Sequence, residues 1–228
     1  MFSVVVATFS RPQQLGRCLG SLRDQRAPPE EVIIIDDGSL GETTARVLRP
    51  WQEQQLPFEL RVQWLSRNGG PARARNVGIK MARAPWIAFT DDDCEPRPDW
   101  LSVLSYAAVN APEDVAGIGG RVVAASNGLV SEFMSLHRIL EPPASCSYLV
   151  TANCTYRRDV LVAVGGFDER VRHPGGEDPG LSFAVRDAGY GLMFCPAAIV
   201  GHHYRESTLD FLKTFYRYGR GVRLVMGR

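Results

Sequence analysis

The chain has 228 residues, of which 45% are hydrophobic and 22% charged, proportions that are ordinary for a globular protein with a sizeable core. Its formal net charge of +1 argues against a partner nucleic acid, because binding through phosphates needs a large positive excess. Five cysteines without metal-ligand spacing favour free thiols in a reducing compartment. The start of the chain lacks a signal-peptide pattern, and no apolar run approaches the roughly 20 residues of a membrane span, so we expect a cytoplasmic protein.

The first 98 residues alternate between short apolar runs and segments with helical spacing. The runs FSVVVATF, EVIIIDDGS, FELRVQWLS and PWIAFT predict strands, and PQQLGRCLGSLRDQ and PARARNVGIKMARA predict helices. Such alternation is typical of an α/β fold with a Rossmann-like, mostly parallel central sheet and helices on both faces. In open sheets of this kind, ligands bind where the strands reach their carboxyl ends. The predicted turns 8–11, 36–39, 66–70 and 91–93 would therefore face one crevice.

The second half of the chain has a looser pattern. Helices are predicted over 98–110, over 157–166, from about Asp178 to Ala188 and from about Ser207. Strands are predicted over 114–125, 147–157, 192–196 and 198–204. Since no linker or repeat interrupts the chain, we expect a single domain with a nucleotide-binding half, 1–98, a variable half, 99–205, and an amphipathic tail, 206–228.

Three consecutive aspartates, Asp91 to Asp93, end the fourth predicted strand. Adjacent carboxylates repel one another unless a cation or hydrogen-bond donors compensate them. Mg²⁺-type ions are commonly held by one or two carboxylates together with substrate phosphates, so this turn suits a divalent metal shared with a diphosphate. The alternative is a solvated acidic turn. Asp37, at the end of the second strand, could orient a base or ribose, or could simply serve a tight turn.

Two further segments carry candidate functional groups. Gly70 and Arg75, in SRNGGPARARN, place exposed backbone amides and a guanidinium near a helix start, which suits an anion, although surface helices often carry arginine. In PGGEDPGL, Asp178 could act as a general base brought to substrate by a glycine-rich loop, or could be one of the acidic residues that helix N-termini favour. His202 and His203 point to opposite faces of a strand, so one of them could complete a metal site.

Seven segments taken together resemble the family 2 glycosyltransferases of the GT-A fold, across about the first 205 residues. Each segment is weak alone, but their order along the chain is specific to that family. They are VVVATFSRP, VIIIDDGS, NGGPARARNVGI, FTDDDCEPRPDWL, TANCTYRRDVLVAVGGFDE, GGEDPGLSFAVRDAGY and HHYRES.

The resemblance implies transfer of a sugar from a UDP-, GDP- or dTDP-sugar to a hydroxyl of a saccharide or lipid-linked acceptor, with inversion and with Mn²⁺ or Mg²⁺ as cofactor. It implies that Asp178 is the catalytic base. Many relatives have a second acidic residue two positions after this base, where this chain has Gly180, so the resemblance does not identify the acceptor. The implied metal ligands are Asp93, Asp91 and His202, and the implied donor contacts are Thr8, Phe9, Arg11, Asp37 and Asp92.

The tail, FLKTFYRYGRGVRLVMGR, combines aromatic residues with basic ones up to Arg228. It predicts an amphipathic helix packed on the domain with Leu209, Leu212 and Phe215 inward, or a peripheral contact with the inner face of a membrane.

Three other classes of protein also use some of the sequence features described above. A nucleotidyltransferase would need a basic glycine-rich loop after the first strand, a sugar-binding module would not need both acidic segments, and a glycoside hydrolase would not need the nucleotide-side features.

Overall fold

The structure is a computed structural model that describes residues 1–143 and 145–226. A short 3-10 turn, Thr151–Asn153, precedes the seventh strand. The strands are β1 (Phe2–Thr8), β2 (Glu31–Asp36), β3 (Glu59–Trp64), β4 (Trp86–Phe89), β5 (Cys94–Pro96), β6 (Val115–Ala124), β7 (Cys154–Arg157) and β8 (Gly191–His202). The helices are α1 (Pro12–Arg23), α2 (Thr43–Glu53), α3 (Pro71–Met81), α4 (Trp100–Asn110), α5 (Leu129–Leu136), α6 (Arg158–Ala163), α7 (Glu177–Asp187) and α8 (Thr208–Met226).

All eight strands form one sheet in the order β3-β2-β1-β4-β7-β6-β8-β5. The neighbours β3, β2, β1 and β4 run parallel, and their register aligns Thr8 with Asp36 and Asp36 with Trp64. The loops that follow these strands therefore emerge at one edge. β7 continues the sheet antiparallel to β4, and β6 and β8 pair in parallel. The predicted α/β class is confirmed, since four of the seven pairings are parallel; the division at residues 98 and 205 stays a prediction.

Hydrophobic layers cover both faces of the sheet. Ile34 of β2 packs in one layer with Leu19 of α1, and its neighbour Ile33 packs in the other layer with Ile79 of α3. All of these side chains except Ile79 are fully buried, and Ile79 is nearly so. Burial of one large aliphatic side chain stabilises a fold by about 1.5–3 kcal/mol. The central strands are thus a rigid support for the loops at their carboxyl ends.

Several elements differ from the sequence prediction. α2 was not predicted, because Pro50 interrupts its pattern and only Thr44 and Leu48 of it are buried. α5, with eight residues, and β5, with three, were missed because such short elements have little periodicity. Of the strands predicted after residue 98, the one over 114–125 is confirmed as β6, whereas 192–196 and 198–204 correspond to a single strand, β8, which ends at His202 and has a register shift against β6.

The strand predicted over 147–157 is confirmed only for its last four residues. The preceding residues turn at Thr151–Asn153 because polar side chains there have specific partners. The Asn153 amide donates to the carbonyls of Arg121 and Ala198, and its oxygen accepts from the Trp100 indole. Asn153 therefore anchors the entry to β7 in the centre of the fold.

α8 packs against α7 with a face that differs from the predicted one. The prediction that Leu209 and Leu212 face inward is wrong, since they are 68% and 59% exposed, whereas Phe215 is partly buried. The inward face starts at Phe211 instead, because its ring packs on Phe133 of α5. Arg228 of the predicted tail lies outside the described residues. Within the described ranges, none of the helices has the length and apolar character needed to span a bilayer.

Candidate active site

A cavity of about 680 Å³ opens at the carboxyl edge of the parallel strands. All eleven site residues predicted from the sequence line it. Asp178, from the second half of the chain, shares this space with the acidic turn after β4. The eleven residues are Thr8, Phe9, Arg11, Asp37, Gly70, Arg75, Asp91, Asp92, Asp93, Asp178 and His202.

Asp92, the middle residue of the acidic turn, points into the protein. Its carboxylate accepts hydrogen bonds from the Thr8 hydroxyl at 2.7 Å and from Arg11 Nη1 at 3.0 Å. Burial raises the pKa of Asp92 to about 7, against the lowering effect of the Arg11 charge. The same guanidinium donates to Asp93 Oδ2 at 2.5 Å. Arg11 thus compensates two of the three adjacent carboxylates and fixes the turn to the end of β1.

Asp91 and Asp93, on either side of Asp92, lie in a cluster of potential metal ligands. One ligand atom from each of Asp91, Asp93, Cys94 and His202 falls within 4.8 Å of the others. Antiparallel pairing of β5 with β8 aligns Cys94 with His202, which brings the imidazole to the acidic turn. His202 Nε2 lies 3.4 Å from Asp93 Oδ1.

The donor set fits a divalent metal. His202 Nδ1 is buried without a hydrogen-bond partner among the described residues, so the ring is not committed to a protein network at that atom. Burial raises the pKa of the Cys94 thiol well above its ordinary value. The carboxylates of Asp91 and Asp93 and the His202 imidazole are therefore the available ligands, and carboxylate-rich sites suit Mn²⁺ or Mg²⁺.

Arg75 joins the acidic turn to the start of α7. Its guanidinium donates to Asp91 Oδ1 at 2.7 Å and to Glu177 Oε1 at 3.1 Å, and it lies 3.9 Å from Asp178 Oδ1. Burial alone would lower the pKa of Arg75, but the surrounding carboxylates raise it above its ordinary value. Its hydrogen bonds are directed at carboxylates in this structure. The contact between Arg75 and a donor anion stays a prediction.

Asp178 is held from two sides at the start of α7. Its carboxylate accepts from the Thr151 amide at 3.1 Å and from the Thr151 hydroxyl at 2.9 Å. Burial raises its pKa to about 7, the charge of Glu177 adds to this shift, and Arg75 opposes it. Glu177 is itself fixed, because its Oε2 accepts from the Gly175 amide at 2.6 Å. A carboxyl with a near-neutral pKa that faces a cavity can accept a proton from a bound hydroxyl.

Asp37 organises the loop after β3. Its carboxylate accepts from the backbone amides of Gly69 at 3.0 Å and Gly70 at 2.8 Å. Gly70 has a φ of 93°, and a Cβ there would lie 2.3 Å from the Arg172 carbonyl oxygen, so only glycine fits. Burial raises the pKa of Asp37 against the effect of these two donors.

Comparison with known proteins identifies the family of this chain. The family model described as "Glycosyl transferase family 2" matches residues 3–164. The chain belongs to glycosyl transferase family 2.

The relatives differ in how much of their own length this chain matches. It is 30% identical to the pre-mycofactocin glycosyltransferase of Mycobacterium tuberculosis, over 94% of this chain and 45% of that protein. It is 25% identical to the glycosyltransferase AglE of Haloferax volcanii, over 96% of this chain and 72% of that protein. The chain therefore spans less than half the length of the mycobacterial relative.

Solved structures establish the family fold. The mannosyltransferase PcManGT from Pyrobaculum calidifontis, in complex with GDP-Man and Mn²⁺, superposes with a TM-score of 0.72 and 18% identity, over 93% of this chain and 59% of that one. GalNAc-T7 with UDP, GalNAc and Mn²⁺ superposes with a TM-score of 0.73 and 18% identity, over 98% and 47%. The fold of this family 2 chain is the GT-A fold, as the resemblance implied.

Some residues of the cavity could not be predicted as site residues from the sequence. Thr151, which binds Asp178, was assigned to the middle of a strand; its polar side chain in the run SYLVTANCT was the available signal. Tyr218 of α8 also lines the cavity, although the sequence predicts only that this helix packs on the domain or contacts a membrane. Gly180 lies against α8, since a Cβ there would be 3.4 Å from Val225. The side chain of Val225 on α8 therefore packs next to Gly180.

Proposed function

We propose that the chain transfers a sugar from a nucleoside-diphosphate sugar to an acceptor hydroxyl, with inversion at the anomeric carbon. The observation that carries this proposal is the common cavity of the acidic turn and Asp178, joined through Arg75. The donor lies along the loops after β1, β2 and β3. Thr8, Phe9 and Asp37 border its nucleoside.

Asp91, Asp93 and His202 would hold the divalent ion, Mn²⁺ or Mg²⁺. When bound, it neutralises charge on the departing diphosphate. Two solved structures of the same fold contain Mn²⁺ together with a nucleotide or a nucleotide sugar, which supports the assignment. Asp92 acts through its hydrogen bonds, because it orients Arg11 beside the donor. The amide of Gly70 is committed to Asp37, so Gly70 contributes the shape of the loop after β3.

Asp178 removes the acceptor proton. As the acceptor oxygen forms a bond to the anomeric carbon from the opposite face, the bond to the diphosphate oxygen breaks and its electron pair leaves with the diphosphate. The Thr151 amide and hydroxyl keep the Asp178 carboxylate in one orientation during this step. A base with a pKa near neutrality combines a large ionised fraction with useful proton affinity.

The experiment combines a donor screen with one variant. Nucleoside diphosphates and UDP-, GDP- and dTDP-sugars are tested for stabilisation of the protein with and without Mn²⁺, since a ligand of the native state raises its melting temperature. With the donor identified, Asp178→Asn should lower transfer by at least about 10²-fold while the stabilisation by donor persists. Transfer within a few-fold of the original rate would refute the role of Asp178. Release of pyrophosphate instead of nucleoside diphosphate would point to a nucleotidyltransferase.

We further propose that the outer face of α8 contacts the inner, cytoplasmic face of an anionic membrane. This face carries the exposed side chains Leu209, Leu212 and Tyr216 together with exposed Lys213 and Arg220. Apolar side chains flanked by basic ones suit the headgroup region of such a bilayer. The full chain should float with vesicles of equal phosphatidylglycerol and phosphatidylcholine, and Lys213→Glu with Arg220→Glu should abolish flotation. Failure of the original chain to float would overturn this contact.

A further inference from the structure

The cavity has two walls of different chemistry. The loops after β1 to β4 present carboxylates, guanidinium groups and backbone amides. A second part of the lining comes from α5, α8 and the segment between α5 and β7, and most of its side chains are apolar. We call this second surface the apolar wall. Its main side chains are Val130, Met134, Ile139, Phe211, Phe215 and Val222.

Aromatic contacts hold the apolar wall in one arrangement. The rings of Phe211 and Phe215 lie 4.7 Å apart, and Phe133 of α5 packs edge-on against Phe211 at 5.2 Å. Phe215 continues to Tyr218 at 6.0 Å. Rings that pack on one another in this way lose little freedom on contact with a ligand. The wall is therefore a preorganised surface.

The apolar wall begins beside the proposed base. Tyr218 packs on the glycine loop before α7, where a Cβ on Gly175 would lie 2.7 Å from the Tyr218 Cα. Gly221 meets the same loop so closely that a Cβ there would collide with the Gly175 carbonyl oxygen. Asp178 follows Gly175 by three residues, in the first turn of α7. A ligand hydroxyl at Asp178 would thus have its remaining atoms next to α8.

Two polar side chains of the wall bond to the backbone of their own helix. The Thr214 hydroxyl donates to the Asp210 carbonyl of its own helix, and Arg217 Nε donates to the Lys213 carbonyl. Both Phe211 and Phe215 remain partly accessible in the cavity. Removal of apolar surface from water contributes roughly 25 cal/mol per Å², so the wall favours an apolar occupant. A nucleoside diphosphate, which is charged, does not match this surface.

We propose that the acceptor carries an apolar group, an alkyl chain or an aromatic ring, that lies on the apolar wall while its hydroxyl meets Asp178. This inference rests on the proposed function and specifies the class of acceptor. It assigns α8 a role in substrate selection. An alkyl or aromatic group would remove more apolar surface of Phe211 and Phe215 from water than a sugar ring that carries hydroxyl groups.

Binding of three simple glycosides tests the proposal without any transfer reaction. Methyl, phenyl and octyl β-D-glucoside, the last below its micelle concentration, are titrated calorimetrically into the full chain with Mn²⁺. Phenyl or octyl glucoside should bind at least about tenfold more tightly than methyl glucoside. Preference for octyl over phenyl indicates a lipid-type acceptor, and the reverse indicates an aromatic one. Equal affinity for all three, or no binding of the phenyl and octyl compounds, overturns the proposal.

Two variants and a matched control assign the effect to the wall. Phe215→Ala should remove most of the difference in affinity between methyl glucoside and the phenyl or octyl compound. Val130→Ser, a small change on α5, should reduce that difference about threefold or more without affecting folding. Tyr216→Ala is the control, since the neighbouring Tyr216 is 67% exposed on the outer face of α8. Equal losses in Phe215→Ala and Tyr216→Ala would contradict the assignment. If phenyl or octyl glucoside binds more tightly but no donor reacts, the proposed role of the apolar wall stands and only the proposed transfer is refuted.

Discussion

Replacement of Glu177 by glutamine should move the pH profile of transfer to lower pH. Two features of the site raise the pKa of Asp178 to about 7, burial first and the neighbouring charge of Glu177 second. Glutamine keeps the size of the side chain but removes this charge. The substitution also weakens the interaction of residue 177 with Arg75. The Arg75 guanidinium lies 3.9 Å from Asp178 and favours the ionised form of Asp178. Both changes lower the pKa of Asp178.

The magnitude follows from the ionised fraction of the base. With a pKa of about 7, roughly half of Asp178 is ionised at pH 7 and about one hundredth at pH 5, so kcat should fall about tenfold per pH unit below neutrality. Loss of a like charge within a few ångströms shifts a carboxyl pKa by roughly one unit or more. Glu177→Gln should therefore be several-fold more active than the original chain at pH 5.5, relative to the activity of each at pH 8. Other charged or titratable groups that act on Asp178 are Arg75 on α3, Asp91 after β4, Tyr218 on α8, and Cys154 and Tyr156 on β7.

The assay is nucleoside diphosphate release at saturating donor between pH 5 and 9, with donor binding measured across the same range. Asp92 also has a pKa raised to about 7. Its hydrogen-bond partners are Thr8 and Arg11, so Glu177→Gln should leave the pKa of Asp92 unchanged. A shift in the variant thus reports on Asp178. An unchanged midpoint, or a rate that is constant from pH 8 to pH 5 in the original chain, would refute the reasoning.

Three further predictions concern the metal, α8 and the core. Asp93→Asn should weaken Mn²⁺ binding, measured by calorimetry, by at least about tenfold, because it removes one charged ligand; unchanged affinity would exclude Asp93 from the site. Gly221→Ala should lower the melting temperature, since its Cβ would lie 1.3 Å from the Gly175 carbonyl oxygen, whereas Gly219→Ala, with nothing within 4 Å, should raise the free energy of unfolding by about 0.5–1 kcal/mol through helix propensity. Ile34→Ala should lower the free energy of unfolding by about 2–5 kcal/mol in urea titrations, because Ile34 is fully buried in the sheet.

Much of the site could be predicted because it depends on strand order. Thr8 ends β1, and Asp37 and Asp93 come after its two parallel neighbours in the sheet, β2 and β4; the carboxyl ends of such strands meet at one edge whatever the details of packing. α2 and α5 could not be predicted with equal ease. Their helical pattern is short or interrupted by Pro50, and tertiary packing stabilises them.

The buried face of α8 could not be predicted from the spacing of its apolar residues. Leu209 and Leu212 have the spacing of an inward face, yet they lie outside, and Phe211 and Phe215 lie inside. Several faces of this helix carry apolar residues, so the hydrophobic pattern alone does not select one. The close contact of Gly221 with the loop at Gly175 selects it, and that contact joins segments more than 40 residues apart.

The sequence by itself determined the class of fold and the family, because buried β-branched runs and the order of short motifs are local properties. It also determined which loops share an edge, since this follows from strand direction. Only the tertiary structure decided that Arg75 links Asp91 to Glu177, that Cys94 lies opposite His202, and that α8 forms one wall of the cavity. Such contacts depend on side-chain packing between distant segments, which local spacing does not specify.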